Sequence, residues 1–110
     1  MNVNEAILEA VKPIVPEIAS GSYPGQADEY CTFNYTEHPS KFSDDFPEAA
    51  LFDVQVHLFL PANRNSLDFR RGIRNRLISQ GFTPPTIYNM SDGDGQHFVF
   101  ECEFSEGYDA

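Results

Sequence analysis

Four arginines are concentrated in one short segment of this 110-residue chain: Arg70, Arg71, Arg74 and Arg76. A guanidinium group donates two parallel hydrogen bonds to a carboxylate, so arginine is well suited to contacts between protein molecules. Arg70 and Arg74 are four residues apart, and on a helix they would project from a common strip. The cluster therefore indicates either a solvated helix face or a surface that binds carboxylates of another molecule.

The three histidines, His38, His57 and His97, are candidates for a metal site or for acid–base chemistry. None of them has the HxH, HxxxH or HExxH spacing that is typical of metal-binding histidines. His57 and His97 fall on the outward side of predicted strands, so they would be neighbours if those strands pair. We expect a surface or interface pair; a small ligand-binding or hydrolytic domain that uses both residues is the less favoured alternative.

The remaining motifs do not predict a reaction centre. Cys31 and Cys102 lie among apolar residues, which favours free buried thiols. No serine has the surroundings of a nucleophile elbow. The segment 92–95 reads DGDG but lacks the closing glutamate of a calcium-binding loop, and Asp-Gly between strands is typical of a hairpin turn. We predict that the protein is not an enzyme and holds no metal or cofactor.

The charges are numerous and unevenly distributed. The net charge is −10, and such a surface repels nucleic-acid phosphates and anionic lipid headgroups. This argues against direct reading of nucleic acid. Residues 85–110 contain no lysine or arginine, while their carboxylates are Asp92, Asp94, Glu101, Glu103, Glu106 and Asp109. A basic patch on one copy is therefore expected to pair with an acidic patch, such as Glu101 and Glu103, on a neighbour.

Two helices are predicted from the spacing of apolar residues. The first runs from Asn2 to about Lys12, with Asn2 as its N-terminal cap and a glutamate three residues later. Pro13 either ends this helix or kinks it. The second begins near Leu67, carries the four arginines, and stops at Gly81-Phe82, where a glycine after the last turn lets the next apolar residue fold back.

Four strands are predicted from alternating apolar and polar residues, over 30–36, 50–60, 86–90 and 96–104. Residues 37–48 are polar and contain two prolines, and we predict a loop there. Its length suggests a role of its own. Asp44, Asp45 and Phe46 are its candidate contacts with a partner.

Together these elements predict a single α+β domain spanning residues 1–110. The expected order is α-β-β-α-β-β, with the helices packed on one face of an antiparallel four-stranded sheet. The first residues, MNVNEAILEA, lack the basic and apolar regions of a signal peptide. No apolar run is long enough to span a membrane, so no membrane partner is expected.

The chain resembles the tail terminator (tail-completion) proteins of long-tailed bacteriophages and prophages. The resemblance covers nearly the whole chain and consists of structural patterns. The matching pieces are the first helix with Ile7 and Val11, the Tyr-Pro and YCTF segments, FDVQVHLF at 52–59, the basic helix with Ile73 and Leu77, the QGF exit at 80–82, and HFVFECEF at 97–104. Another neck, head–tail joining or minor capsid component is the alternative.

The resemblance implies a non-enzymatic structural protein without a cofactor. Such a protein is made in the host bacterial cytoplasm and ends in the tail or neck of the virion. It forms a ring, expected to be a hexamer, that caps the tail tube and joins it to the head. Its expected partners are further copies of itself, the tail tube protein and head-connector proteins.

Overall fold

The computed structural model describes residues 1–43 and 46–107, and the side chains of these except at 41–43. Over these residues the chain is an α+β fold with two helices and a five-stranded sheet. The elements are α1 (Val3–Val11), β1 (Ile18–Ser20), β2 (Tyr30–Ser43), β3 (Phe46–Leu60), α2 (Leu67–Ser79), β4 (Thr86–Asn89) and β5 (Gln96–Gly107).

Local sequence signals explain both helices. The Asn2 side chain accepts a hydrogen bond from the Glu5 backbone N–H at 2.8 Å, as an N-terminal cap does. Of the two alternatives predicted at Pro13, the structure shows that α1 ends before it. Just beyond the C-terminal end of α2, Gly81 has φ +98°. The Phe82 N–H donates to the Leu77 carbonyl oxygen at 3.1 Å, and the Phe82 side chain is buried. The predicted termination of the second helix at Gly81-Phe82 is confirmed.

The sheet has the order β1-β2-β3-β5-β4 and is mixed. β2, β3, β5 and β4 pair antiparallel, whereas β1 pairs parallel to β2, with Ile18 opposite Cys31. The prediction of four antiparallel strands was therefore wrong by one strand, and the order becomes α-β-β-β-α-β-β. β1 has only three residues directly after a proline turn, too few for alternation to reveal a strand.

The predicted loop at 37–48 was also wrong, because most of this segment is strand. β2 continues to Ser43 and β3 begins at Phe46, so the two strands form one long hairpin. Polar side chains and prolines hid the alternation, and the pairing is supplied by the partner strand. Asp44 and Asp45 lie outside the described residues. Phe46 lies at the start of β3 with 74% of its surface exposed.

The hairpin extends the molecule beyond the helices and leaves part of β2 at the edge of the sheet. The Cys31 N–H donates to the Glu17 carbonyl oxygen at 2.8 Å, and Phe33 accepts from the Gly21 N–H at 2.9 Å. Odd-numbered residues of β2 therefore direct their backbone N–H and C=O groups away from β3, toward the side of β2 on which β1 lies. Beyond Phe33 no described strand pairs with them. Pro39 occupies one of these positions and lacks an N–H group.

The core lies between the helices and one face of the sheet. Alternate residues of β3 and β5 pack against α1 and α2 in a single cluster, so both helices cover the same face, as predicted. Its most completely buried large side chains are Phe100, Ile7, Leu58, Ile73, Leu77, Val11, Val54 and Val56. Burial of one such aliphatic or aromatic side chain contributes about 1.5–3 kcal/mol, so this layer fixes the scaffold.

Candidate functional site

The face of the sheet opposite the helices, here called the open face, carries most of the side chains that are available for chemistry. Strand alternation that buries Val54, Val56 and Leu58 directs the intervening residues of β3 to the other side, where they are half-buried. The open face is formed chiefly by Thr32, Asn34 and Thr36 of β2, Asp53, Gln55, His57 and Phe59 of β3, and His97, Val99, Glu101 and Glu103 of β5.

One end of the open face is an acidic groove with a volume of about 740 Å³, whose lining includes Asp53, Glu101 and Glu103. The strand register places Asp53 directly opposite Glu103 and Gln55 opposite Glu101. Like charges at directly opposed positions of two strands are destabilising. A groove built in this way favours a cationic partner.

Two neighbouring polar groups bind these carboxylates only weakly. The Gln55 side-chain amide donates to Glu101 Oε2 at 3.4 Å. His38 Nε2 lies 3.0 Å from Asp53 Oδ2, and both side chains are about half exposed. A solvent-exposed pair of this kind contributes little to stability. The carboxylates therefore remain available to a cation that binds them more strongly than Gln55 and His38 do.

The other end of the open face carries a row of stacked rings, here called the aromatic row: Tyr23, Tyr30, Phe59 and His97. The successive ring centroids are 4.5, 4.8 and 4.3 Å apart. The strand pairing produces this row, because Tyr30 lies opposite Phe59 and Phe59 lies opposite His97. Each stacked pair of this type contributes about 0.5–1.5 kcal/mol beyond its buried area.

His57 and His97 meet beside the aromatic row. His57 Nδ1 lies 2.9 Å from His97 Nε2, which is a hydrogen-bond distance, and the tautomers of the two rings decide which nitrogen donates. Partial burial lowers the pKa of both histidines, and the mutual charge repulsion lowers the pKa of His57 further. Asp92 opposes the effect at His97 by raising its pKa. The predicted histidine pair is confirmed as a close pair at the surface of the sheet.

Two of the four arginines contact other elements of the same chain. The Arg76 guanidinium donates to the carbonyl oxygens of Glu9 at 2.6 Å and Ala10 at 3.3 Å, at the end of α1. Arg70 donates to Ser66 Oγ at 3.1 Å and lies over the Phe98 ring, 4.9 Å from its centroid. Both side chains hold α2 in place.

The other two arginines, Arg71 and Arg74, are exposed on α2. Arg74 contacts the neighbouring Asn75 side chain at 3.2 Å. Among the described residues the ion pairs are His38–Asp53 and Arg64–Glu29, so no arginine of α2 pairs with a described carboxylate. Because α2 covers one face of the sheet, these two guanidinium groups lie on the opposite side of the molecule from the acidic groove.

The cysteines do not form a reactive centre. Cys31 and Cys102 are buried and free, and burial raises the pKa of each thiol to about 12. A thiol with such a pKa is almost wholly protonated at neutral pH and is a poor nucleophile. Over residues 1–43 and 46–107, no three or more His, Cys, Asp or Glu side chains cluster in a way that suits a metal ion.

The hydrolytic alternative requires a deep pocket that holds both histidines. A groove of about 550 Å³ lies beside the aromatic row and is lined by His97, Asp28, Asp92 and Asp94, but not by His57. The two rings therefore do not share one cavity in which a substrate would meet both.

Sequence reasoning missed the aromatic row. The stacking of Tyr30 on Phe59 depends on strand register, which single-strand patterns do not provide. Tyr23 joins the row from the segment that precedes β2. The arginine contacts with α1 were also missed, because backbone carbonyl acceptors leave no signal in the sequence.

None of the helices in the described part of the chain is long and apolar enough to cross a membrane. Comparison with protein-family models gives no match, and comparison with curated protein sequences gives none either.

Proposed function

We propose that the protein is a structural component of phage or prophage morphogenesis, a tail terminator that oligomerises into a ring, caps the tail tube and joins it to the head. One observation carries the proposal. The exposed arginines of α2 and the carboxylates of the acidic groove lie on opposite sides of one subunit and have no partners for each other within it.

This arrangement suits a head-to-tail contact between copies. When one patch binds a different patch on the next subunit, repetition of the same rotation closes a ring. Arg71 and Arg74 of one copy would then meet Asp53, Glu101 and Glu103 of its neighbour. Guanidinium groups pair in a bidentate manner with carboxylates, so the contact fixes orientation as well as affinity. A hexamer is the expected ring.

Arg70 and Arg76 have a supporting role in this proposal. Their contacts with Phe98 and with the end of α1 hold α2 against the core, so that Arg71 and Arg74 project in a fixed direction. This divides the original cluster of four into two scaffold residues and two contact residues.

The far end of the hairpin is the proposed contact with the tail tube or the head connector. The molecule is 54 Å long but only 25 and 23 Å across, so this end stands well away from the helices. Phe46 exposes 74% of its surface there. A large exposed ring on a projecting element is typical of a residue that becomes buried against a partner.

A charge exchange tests the ring contact. One variant carries Arg71→Glu and Arg74→Glu, and the other carries Glu101→Arg and Glu103→Arg. Each alone should lose the assembled species in mass photometry at low salt, with and without tail tube protein. An equimolar mixture should recover it, because alternating copies then pair opposite charges at every interface. Recovery of a closed ring further requires an even number of subunits.

The matched control is Lys12→Glu, which reverses one exposed charge directly after α1 and should leave assembly unchanged. If the wild-type chain stays monomeric both alone and with tail tube protein, the proposal fails. If it assembles but the charge exchange has no effect, the ring contact lies elsewhere.

A further inference from the structure

We propose that the bond between Asp92 and Gly93 is a site of spontaneous covalent modification, at which the aspartate rearranges to isoaspartate through a succinimide. The turn between β4 and β5 contains two aspartate–glycine pairs, at 92–93 and 94–95, and the structure distinguishes them. The proposal is independent of the ring contact described above, because neither Asp92 nor Gly93 lines the acidic groove.

The reaction joins two groups that are adjacent in the chain. The backbone nitrogen of Gly93 attacks Cγ of the protonated Asp92 carboxyl group, a five-membered succinimide ring closes, and the carboxyl hydroxyl leaves with the proton of that nitrogen as one water molecule. Water then opens the ring at either carbonyl, which gives aspartate or isoaspartate. Water is the only other reactant. Glycine favours the first step, since it has no Cβ atom to hinder the approach of its nitrogen.

The Asp92 side chain is folded over the Gly93 amide. Its Oδ1 accepts a hydrogen bond from the Asp94 backbone N–H at 2.9 Å. This contact closes a small ring of atoms that includes the Gly93 nitrogen, so it keeps Cγ near the atom that attacks it. Holding two reacting groups together removes much of the entropic cost of a reaction. Negative charge also develops on Oδ1 during the attack, and a donor already directed at that oxygen stabilises it.

The surroundings of Gly93 leave room for the succinimide ring to close. Residues 91–94 are exposed, and a Cβ atom placed on Gly93 would meet no atom within 4 Å. Asp92 and Gly95 form the bridge at the end of the hairpin, and Gly93 and Asp94 are the two turn residues between them. The peptide plane between Asp92 and Gly93 can therefore rotate without the loss of a strand pair.

The second aspartate–glycine pair is held more firmly. The Gly95 carbonyl oxygen accepts a hydrogen bond from the Asp92 N–H at 3.2 Å. A Cβ atom placed on Gly95 would lie 3.1 Å from the Leu60 carbonyl oxygen, so this residue packs closely against the end of β3. The attacking nitrogen of the pair at 94–95 thus belongs to a paired and packed residue. The pair at 92–93 is therefore the principal site in the folded chain.

Isomerisation changes the turn. It moves the peptide bond to the side-chain carbonyl and so adds one methylene group to the main chain, while the former backbone carbonyl becomes a free carboxylate. Two hydrogen bonds close the turn, from the Met90 N–H to the His97 carbonyl oxygen at 2.7 Å and from the Asp92 N–H to the Gly95 carbonyl oxygen at 3.2 Å. A longer main chain cannot keep the second of these in its present geometry. Asp92 and Asp94 also line the groove beside the aromatic row, so that groove changes shape as the molecule ages.

The experiment follows isoaspartate in the untagged full chain during incubation in mildly acidic buffer, once folded and once unfolded in guanidinium chloride. An isoaspartate-directed methyltransferase with labelled S-adenosylmethionine counts the modified residues, and electron-transfer fragmentation of the digested chain locates them. In the folded chain, isoaspartate at 92 should exceed isoaspartate at 94 at least about tenfold, because proximity and the directed donor act on Asp92. In the unfolded chain the two positions should react within about threefold of each other, because the turn is lost.

Two variants change one reacting group each. Asp92→Glu keeps the charge but requires a less favourable six-membered ring, and Gly93→Ala hinders the attacking nitrogen while its Cβ meets no neighbour. Each should lower isomerisation at position 92 of the folded chain at least about tenfold. Asp28→Glu is the control, because Asp28 lines the same groove and is not followed by glycine, and it should isomerise like the wild type.

Circular dichroism of each variant shows that the fold is retained. A folded chain that forms no isoaspartate at position 92, while the unfolded chain does, would overturn the proposal. Equal modification of positions 92 and 94 in the folded chain would overturn it as well, since the turn would then have no selective effect.

Discussion

The Arg76 guanidinium donates a 2.6 Å hydrogen bond to the backbone carbonyl oxygen of Glu9 and so joins α2 to the end of α1. The last carbonyls of a helix have no partner within it, and their partial negative charge favours a cation. A single side chain thereby satisfies two of these acceptors and ties the two helices together across sequence separations of 66 and 67 residues.

We expect Arg76→Ala to lower the free energy of unfolding by about 1–3 kcal/mol, because charged hydrogen bonds and the packing of the side-chain stem are lost together. Urea unfolding measures the change. Arg71→Ala, on the exposed part of the same helix, serves as the control and should stay within about 0.5 kcal/mol of the wild type. Equal effects of the two substitutions would contradict the structural role of Arg76.

Gly81→Ala should also destabilise the chain. Gly81 has φ +98°, a region that residues with a Cβ atom rarely adopt, so we expect a loss of about 1 kcal/mol or more. Thermal unfolding measures it. Gly93→Ala is the matched control, since its backbone is not in this region and a Cβ would meet no atom within 4 Å. A Gly81 variant as stable as the control would show that termination of α2 does not require glycine at this position.

Glu103→Gln should stabilise the isolated chain slightly and weaken its assembly. The substitution removes one of two like charges that lie opposite each other, which is worth about 0.2–0.5 kcal/mol at this exposed position. It also removes a proposed ligand for the arginines of the next copy. Urea unfolding gives the first effect and mass photometry the second. A loss of stability without any change in assembly would argue against both roles.

Stability should fall as the pH drops below about 6.5. The folded state lowers the pKa of His57 and His97, whereas the unfolded chain binds protons near the usual value of 6.5. Between the lowered and the usual pKa the unfolded state binds more protons, so stability rises with pH. Urea midpoints across this range measure the effect. The double variant His57→Phe/His97→Phe should lose this part of the slope; an unchanged slope would assign it to other groups.

Cys31 and Cys102 should resist alkylation in the folded protein. Their pKa of about 12 leaves almost no thiolate at about pH 8, and both side chains are buried. Iodoacetamide followed by intact-mass measurement should give an unmodified native chain and two additions after unfolding in urea. Rapid modification under native conditions would reveal local opening of β2 or β5.

The elements that sequence patterns predicted correctly are those whose signals are local. The cap at Asn2, the glycine exit at Gly81 and the alternation of β3 each depend on neighbouring residues, and each appears in the structure. What the sequence did not predict depends on partners that are distant along the chain. β1 is defined by pairing with β2, the extended hairpin by the match of its two strands, and the aromatic row by the register of three strands.

The same distinction applies to the candidate site. Arg71, Arg74, Glu101 and Glu103 were identified by residue type and remain exposed and without mutual contacts. The roles of Arg70 and Arg76 emerged only when their acceptors on other elements were known. Asp53 was missed as part of the acidic groove, because its proximity to Glu103 is a property of the paired strands.

Pro39 has a consequence for how the protein avoids aggregation. The long edge of β2 offers a template on which the strand of any other molecule could continue the sheet, and such growth has no natural end point. At Pro39 the edge lacks a backbone N–H donor, so a strand that pairs along the edge loses one hydrogen bond there. Copies stored at high concentration are thereby discouraged from joining edge to edge into fibrils, which leaves side-chain recognition to decide how they associate.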